Sequence, residues 1–202
     1  MIKEHVLLGI NHQFLYSGAV SDPDIHTKTL DILAGESHFD ALDFWISKEN
    51  PNQRKELEII QNCGKYLNYN IGDRYGQKVM IPASPDKEER NYAFEVMRGE
   101  IARALECGAN KVIFGSGPDF PDDREEAKKR LAGFILETFR DVPQNIMITI
   151  EPTGRNMDKF FLLGPFDESK GILAIFTQAI VLSGIRPIPF AVTIMCRGNS
   201  GW

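Results

Sequence analysis

The sequence predicts an α/β fold of the (β/α) TIM-barrel type, and three observations carry this prediction. Short apolar runs alternate with longer amphipathic segments along the chain. The apolar runs start near residues 5, 40, 66, 111 and 146, and a helical pattern follows each of the first four, as in parallel βαβ units. The first run continues into NHQFLYSG, which lacks the glycine-rich phosphate-binding turn of a doubly wound nucleotide-binding sheet. The open sheet remains the alternative architecture.

Local signals place the elements of this fold. Asp22 and Pro23 suit the start of a helix, and Gly64 and Gly108 suit helix ends. The predicted strands cover residues 5–10, 40–46, 66–71, 111–114 and 146–151, and the predicted helices cover 21–38, 50–64, 84–109 and 122–140.

Composition and charge exclude several classes of protein. The 202 residues are 43 % hydrophobic and 25 % charged, which suits a globular protein with a substantial core. A net charge of −5 argues against binding to nucleic acid or to an anionic membrane. The N-terminus does not resemble a signal peptide, so we expect a cytoplasmic protein. The three cysteines form no CxxC pair, and we expect them to be reduced.

The strongest candidate for chemistry is Glu151, at the end of the fifth predicted strand in IMITIEPTGRN. Strand alternation places the three isoleucines of this run on one face and Met147, Thr149 and Glu151 on the other. In a barrel, Glu151 would then point toward the carboxyl-end mouth, where ligands bind. An ion pair with a nearby arginine or lysine, or the capping of a turn, is the alternative explanation.

Other candidate ligand-binding residues lie at the ends of predicted strands. Asp43 is an acid inside an apolar strand, which either substrate binding or an interior salt bridge explains. Trp45 could form an apolar wall for a small ligand or pack in the core, and Ser116 lies between two glycines that permit a ligand to approach the backbone but also suit a tight turn. The complete set of predicted substrate-binding residues is His12, Asp43, Trp45, Ser116 and Arg155.

Four segments together resemble the xylose-isomerase-like TIM barrels: GINH, FDALDFWI, ALECGANKVIFGSG and IMITIEPTGRN. The resemblance covers about residues 5–168. This superfamily includes sugar and sugar-phosphate isomerases and epimerases, inosose dehydratase-type enzymes and the endonuclease IV group. The resemblance implies that Glu151 binds a divalent cation, Mn²⁺ or Mg²⁺ rather than Co²⁺ or Zn²⁺, and assists proton transfer beside a carbonyl. Asp43 stands where the second strand of the family usually carries a glutamate.

The chain is short for such a barrel. A complete barrel takes about 250 residues, whereas the fifth predicted strand here ends with only 51 residues remaining. We therefore expect a partial barrel, residues 1–168, followed by an atypical apolar segment, residues 169–202, that contains no Asp, Glu or His. The family's remaining metal ligands, an aspartate, a histidine and a glutamate, would normally follow the fifth strand. The segment is interpreted as an aberrant or truncated end, a genuine closing segment, or a membrane-associated end, although its apolar run is short for a span.

Three functions fit the sequence. The first is a sugar or sugar-phosphate isomerase or epimerase that uses a divalent metal, although activity of this chain is an open question because most of the metal ligands are missing. The second is a non-catalytic binding or assembly module on the same scaffold, for which a homo-oligomer is one form. The third is an endonuclease IV-like DNA-repair enzyme, which would need a multi-histidine zinc cluster and a basic groove. The negative charge and the position of all four histidines at or before His38 argue against it.

Overall fold

The structure is a computed structural model that describes residues 7–46, 50–71, 80–140, 142–143, 145–152, 161–164, 171 and 190–192. Five strands alternate with helices along the chain, as the sequence predicts. The chain divides into two compact units. The first unit comprises Met1–Asn70 and Ala102–Val112, and the second comprises Ile71–Ile101 and Ile113–Trp202.

The first unit contains three parallel strands, β1 (Gly9–Asn11), β2 (Ala41–Phe44) and β3 (Tyr66–Asn70), which lie side by side in chain order. The helices that belong wholly to this unit are α1 (His12–Leu15), α2 (Pro23–Gly35) and α3 (Gln53–Asn62), and a 3₁₀ turn covers Ser17–Val20. The core beneath these helices includes Leu30, Leu42, Phe44 and Ile60, all buried. Their burial removes apolar surface from water and holds the helices against the sheet.

The second unit contains α5 (Arg124–Phe139) and β5 (Met147–Glu151). Two further elements, α4 (Lys87–Glu106) and β4 (Lys111–Gly115), contribute residues to both units. The buried face of α5 repeats at helical spacing through Ala127, Leu131, Ile135 and Phe139, which is why this amphipathic segment forms a helix on an apolar core.

The local signals in the sequence have the predicted structural roles. The Asp22 carboxylate accepts hydrogen bonds from the backbone N–H groups of Asp24 and Ile25, so it caps α2. Gly64 and Gly108 follow α3 and α4 with φ values of 67° and 72°. This left-handed conformation ends a helix and favours glycine because it carries no Cβ.

The structure adds one strand that the sequence does not predict. Within the atypical segment 169–202, Phe190–Val192 forms β6, which pairs with β5 in parallel. The register places Phe190 opposite Ile148 and Val192 opposite Ile150. Most of the segment lies outside the described residues, so its remaining interpretations stay open. No helix among the described residues is long and apolar enough to cross a membrane.

Replacing Gly108 with alanine is expected to lower the free energy of unfolding by about 1 kcal/mol. No atom lies within 4 Å of the position that a Cβ would occupy, so the cost arises from the backbone conformation alone. Chemical denaturation of the variant tests this value. Gly35→Ala is the control, because that helical glycine also has open space around it and no positive φ; equal losses in the two variants would contradict the explanation.

Candidate functional site

In the first unit, the carboxyl ends of β1 and β2 bring together the candidate residues near the start of the chain. The strand register pairs Asn11 with Asp43, and the Asn11 amide donates a hydrogen bond to the Asp43 carboxylate at 3.4 Å. His12 directly follows β1 and Trp45 directly follows β2, and their ring centroids lie 5.3 Å apart. The structure therefore places His12, Asp43 and Trp45 together at the carboxyl ends of β1 and β2.

His12 is completely buried, which determines its chemical state. Its Nε2 lies 2.7 Å from the Thr29 hydroxyl oxygen, which is also 2.7 Å from the Ile25 carbonyl oxygen. If the hydroxyl donates to Ile25, Nε2 carries the imidazole proton, and if it donates to Nε2, Nδ1 carries that proton. Burial, together with the charge of nearby His26, lowers the pKa of His12 to about 3. His12 is neutral at physiological pH.

His26, whose ring lies beside that of His12, contacts a buried carboxylate, Glu56 of α3, for which the sequence gives no prediction. Its Oε1 accepts hydrogen bonds from the His26 Nδ1–H at 2.7 Å, from the Thr27 hydroxyl at 2.7 Å and from the Asn50 amide. Three donors are needed because a buried carboxylate without partners would be costly. Through His26, this network reaches the other aromatic rings: the His26 ring lies 4.8 Å from His12 and 4.6 Å from Trp45 between centroids.

These interactions connect α2, α3 and Asn50, which lies three residues before α3, to the two strand ends, so they position His12 and Trp45. A sequence signal for Glu56 exists: it lies four residues before Ile60 and so shares the buried face of the helix. Three buried atoms of the network have no hydrogen-bond partner among the described residues: His12 Nδ1, His26 Nε2 and Glu56 Oε2. We refer to His12, His26, Trp45 and Glu56 as the buried histidine network.

In the second unit, Ser116 directly follows β4, where the sequence analysis placed a ligand-binding hydroxyl. Its Oγ accepts a hydrogen bond from the Leu163 backbone N–H at 2.9 Å and lies 3.3 Å from the Gly117 carbonyl. The Gly117 carbonyl also accepts from the Leu162 N–H, at 2.9 Å, and Gly117 has a φ of 73°. Ser116 is buried, and its observed contacts secure the turn after β4.

Glu151 is the last residue of β5 and is half-buried, following the buried Thr149 and Ile150. The Thr149 hydroxyl is buried without a hydrogen-bond partner in the described part of the chain, and it shares a strand face with Glu151. This face therefore carries polar groups inside an otherwise apolar strand, as the sequence alternation predicts.

Mg²⁺ and Mn²⁺ require several oxygen ligands or, for Mn²⁺, some imidazole nitrogens. Within the ranges that the structure describes, no group of three or more His, Cys, Asp or Glu side chains is arranged to hold an ion. The described residues do not fit a complete metal site, and Glu151 is the single carboxylate there that the resemblance identifies as a ligand.

Arg155, the last predicted substrate-binding residue, lies outside the described residues. A shallow pocket of about 290 Å³ in the first unit lies against α3 and the end of α4, and none of the predicted site residues lines it. Its polar wall includes Arg103, which donates to the Gln53 side chain at 3.0 Å.

No protein-family model matches the chain, and no curated protein sequence matches it. Solved structures do resemble it. D-psicose 3-epimerase from Clostridium cellulolyticum H10, determined with D-tagatose, matches with a TM-score of 0.68 and 13 % identity, over 94 % of this chain and 63 % of that one. A xylose isomerase-like TIM barrel protein from Mycobacterium smegmatis, in complex with magnesium, matches with a TM-score of 0.52 and 13 % identity, over 94 % and 64 % of the two chains.

Endonuclease IV from Thermus thermophilus matches with a TM-score of 0.52 and 12 % identity, over 93 % of this chain and 61 % of that one. At these identities the similarity establishes the fold and no more: an α/β fold shared with TIM-barrel proteins. The chain spans less than two thirds of the length of these solved structures.

Proposed function

We propose that this chain, which has the fold of xylose isomerase-like TIM-barrel proteins, is a sugar-binding protein of the isomerase or epimerase type. The observation that carries the proposal is the position of Glu151, a half-buried carboxylate at the carboxyl end of β5 that follows two buried residues. Ligands of parallel α/β barrels bind at the carboxyl ends of the strands. D-psicose 3-epimerase, whose structure was determined with D-tagatose, supports a ketose as the ligand class.

The chemistry assigned to Glu151 is contact with the sugar near its carbonyl. A carboxylate there accepts hydrogen bonds from sugar hydroxyls and can take the proton from the carbon beside the carbonyl. Epimerisation returns a proton to the opposite face of that carbon, which requires a second acid. A divalent ion, Mn²⁺ or Mg²⁺, would stabilise the negative charge of the enediolate, and its remaining ligands would have to lie outside the described residues.

In the first unit, we assign substrate contact to Asp43, which is half-buried, and a supporting role to Trp45 and His12, which are buried. In the second unit, Ser116 would act by shaping the turn after β4. A substrate-binding role for Arg155 is a proposal that rests on the sequence.

Replacing Glu151 with glutamine is expected to weaken the binding of D-tagatose or D-fructose about ten-fold, because a charge-assisted hydrogen bond contributes more than a neutral one. Isothermal titration calorimetry of the folded protein, with and without Mn²⁺, measures the change. The control is Glu137→Gln, which removes an equally charged but exposed carboxylate of α5. Undetectable ketose and ketose-phosphate binding by the unmodified chain would refute the proposal.

The second candidate is a non-catalytic binding module on the same scaffold, with the half-buried Glu151 at the end of β5 as its ligand-binding carboxylate. Incubation with ketose and Mn²⁺, followed by NMR detection of the epimer, distinguishes the two functions. Binding without product formation would support the module, whereas a metal-dependent product that Glu151→Gln abolishes would support the enzyme. The endonuclease alternative predicts salt-sensitive DNA binding, which the net charge of −5 disfavours.

A further inference from the structure

The pocket against α3 in the first unit has a lining that points to an anionic ligand. Its volume of about 290 Å³ is space for about ten water molecules at ~30 Å³ each. All of its described lining residues belong to the first unit: Ile46, Gln53, Arg54, Leu57, Arg103 and Glu106. Two of these six residues are arginines, in a chain whose net charge is −5. Arginines in a concave site suit a carboxylate or a phosphate group, which their planar donors match.

Arg103 of α4 is a half-buried cation with no carboxylate partner in the described part of the chain. Its Nη1 donates to the Gln53 side-chain oxygen at 3.0 Å, and its Nε is buried without an acceptor among those residues. The half-buried arginines of α5 differ, because Arg124 and Arg130 each pair with an aspartate, at 2.6 and 2.7 Å. A buried donor without an acceptor is costly. The fork formed by Nε and Nη2 of Arg103 therefore keeps its donors for an anion.

Arg54 of α3 supplies the second cation of the pocket. Its Nε lies 3.3 Å from the Glu58 carboxylate, in an ion pair whose side chains are 93 % and 62 % exposed. Exposed pairs of this kind contribute little free energy, so Arg54 can exchange Glu58 for a ligand at small cost. The pocket also contains the exposed acid Glu106, and its two arginines and one glutamate give the lining a net charge of +1.

The start of α3 adds to the positive potential of the pocket. Gln53 and Arg54, which line it, are the first two residues of this ten-residue helix. The Asn52 side chain does not cap the helix, since its amide donates to the Asp24 carboxylate at 3.2 Å. Glu56, the acid of this first turn, bonds within the buried histidine network. The uncapped N–H groups of a helix N-terminus favour a nearby anion.

A phosphate group matches this lining better than a carboxylate does. A phosphate monoester presents three oxygens in different directions and about two negative charges, which suits guanidinium groups from two helices. A carboxylate has two oxygens in one plane, and a single fork occupies both. Ile46 and Leu57 give an apolar surface for the carbon part of the ligand. We propose that this pocket binds a small organic phosphate. This inference does not depend on the proposed sugar binding, because none of the residues assigned to the sugar lines the pocket.

Inorganic phosphate is the first probe for this site. In ¹H–¹⁵N NMR spectra, the buried Nε–H of Arg103 should shift saturably as phosphate is added at constant ionic strength. Arg54→Gln removes a charge and Arg103→Lys removes the fork, so each should weaken phosphate binding about ten-fold, measured from the backbone amide signals of α3. Arg98→Gln is the matched control, because Arg98 is an exposed arginine of α4 that does not line the pocket. That variant should bind phosphate as the unmodified chain does.

Two further probes test the chemical class of the ligand. Acetate should bind about ten-fold more weakly than phosphate, because it offers a single carboxylate. Phenyl phosphate should bind more tightly than inorganic phosphate, because its ring can lie on Ile46 and Leu57. Acetate that binds as tightly as phosphate would contradict the phosphate assignment, and phenyl phosphate that binds no tighter than inorganic phosphate would contradict an organic ligand.

An Arg103 signal that does not shift saturably would overturn the proposal. Equal losses of affinity in Arg54→Gln and Arg98→Gln would overturn it as well, since the attraction would then come from net charge alone. Circular dichroism should show that the variants are folded. If Arg103→Lys does not fold, Arg54→Gln still decides the question, because that side chain is 93 % exposed and its replacement does not disturb the core.

Discussion

Glu56→Ala is expected to lower the free energy of unfolding by about 3–5 kcal/mol, which is typical of removing one partner from a buried ionic network. The carboxylate is fully buried and accepts from His26, Thr27 and Asn50 through one oxygen. The truncation leaves the His26 Nδ1–H in the protein interior without an acceptor, and Thr27 and Asn50 each lose one hydrogen bond while keeping a contact with the Pro23 carbonyl. Urea denaturation followed by circular dichroism measures the loss.

The control for this prediction lies on the same helix. Glu58 is exposed and forms a surface ion pair with Arg54 at 3.3 Å, so Glu58→Ala should change the free energy of unfolding by about 0.5 kcal/mol or less. If Glu56→Ala does not fold, Glu56→Gln provides a milder test with an expected loss of about 1–3 kcal/mol, since one acceptor oxygen remains. Equal effects at positions 56 and 58 would show that the buried histidine network does not stabilise the fold.

The free energy of unfolding is also expected to decrease as the pH is lowered below about 6.5, because the pKa of His12 is lowered to about 3 in the folded protein. The unfolded chain, whose histidine has an ordinary pKa near 6.5, binds a proton in this range while the folded chain does not. Acid therefore favours the unfolded state between pH 6.5 and 3. The contribution from His12 amounts to about 2 kcal/mol between pH 7 and pH 5 and increases further toward pH 3.

This pH effect is measured by urea denaturation at several pH values from 7 to 5. The groups that face His12 are Thr29, Tyr16, Trp45 and His26, and His26 in turn pairs with Glu56. His12→Gln removes the titrating group and should flatten the dependence, whereas His38→Gln, at an exposed position, should leave it unchanged. A His12→Gln variant with the full dependence of the unmodified protein would show that another group causes it.

Local features of this chain could be predicted from the sequence, whereas contacts between distant segments could not. The β2 and α5 elements follow from alternating and helical spacing of apolar residues, which are local properties, and the structure confirms them within a few residues. The cap of α2 by Asp22 is equally local. The hydrogen bonds of Glu56 were missed because its partners lie up to 30 residues away in the chain, as His26 does, and no local pattern specifies which helices pack together.

Ser116 illustrates the same limit in the candidate site. Its two flanking glycines predict a turn open to a ligand, but its hydroxyl bonds to Leu163, which is 47 residues later in the chain. The strand β6 is a further case, because Phe190–Val192 pairs with β5 only through contacts that the composition of the segment 169–202 does not reveal. Glu151, in contrast, was identified from its own strand.

The sequence by itself determined the α/β class, the order of the elements and the placement of Glu151 at the end of β5, because hydrophobic periodicity and helix-end signals act over a few residues. The tertiary structure alone decided that His12 is a buried neutral imidazole and that Glu56 is the acceptor of a three-donor network. Burial depends on which distant segments pack together, and burial sets the protonation of a side chain.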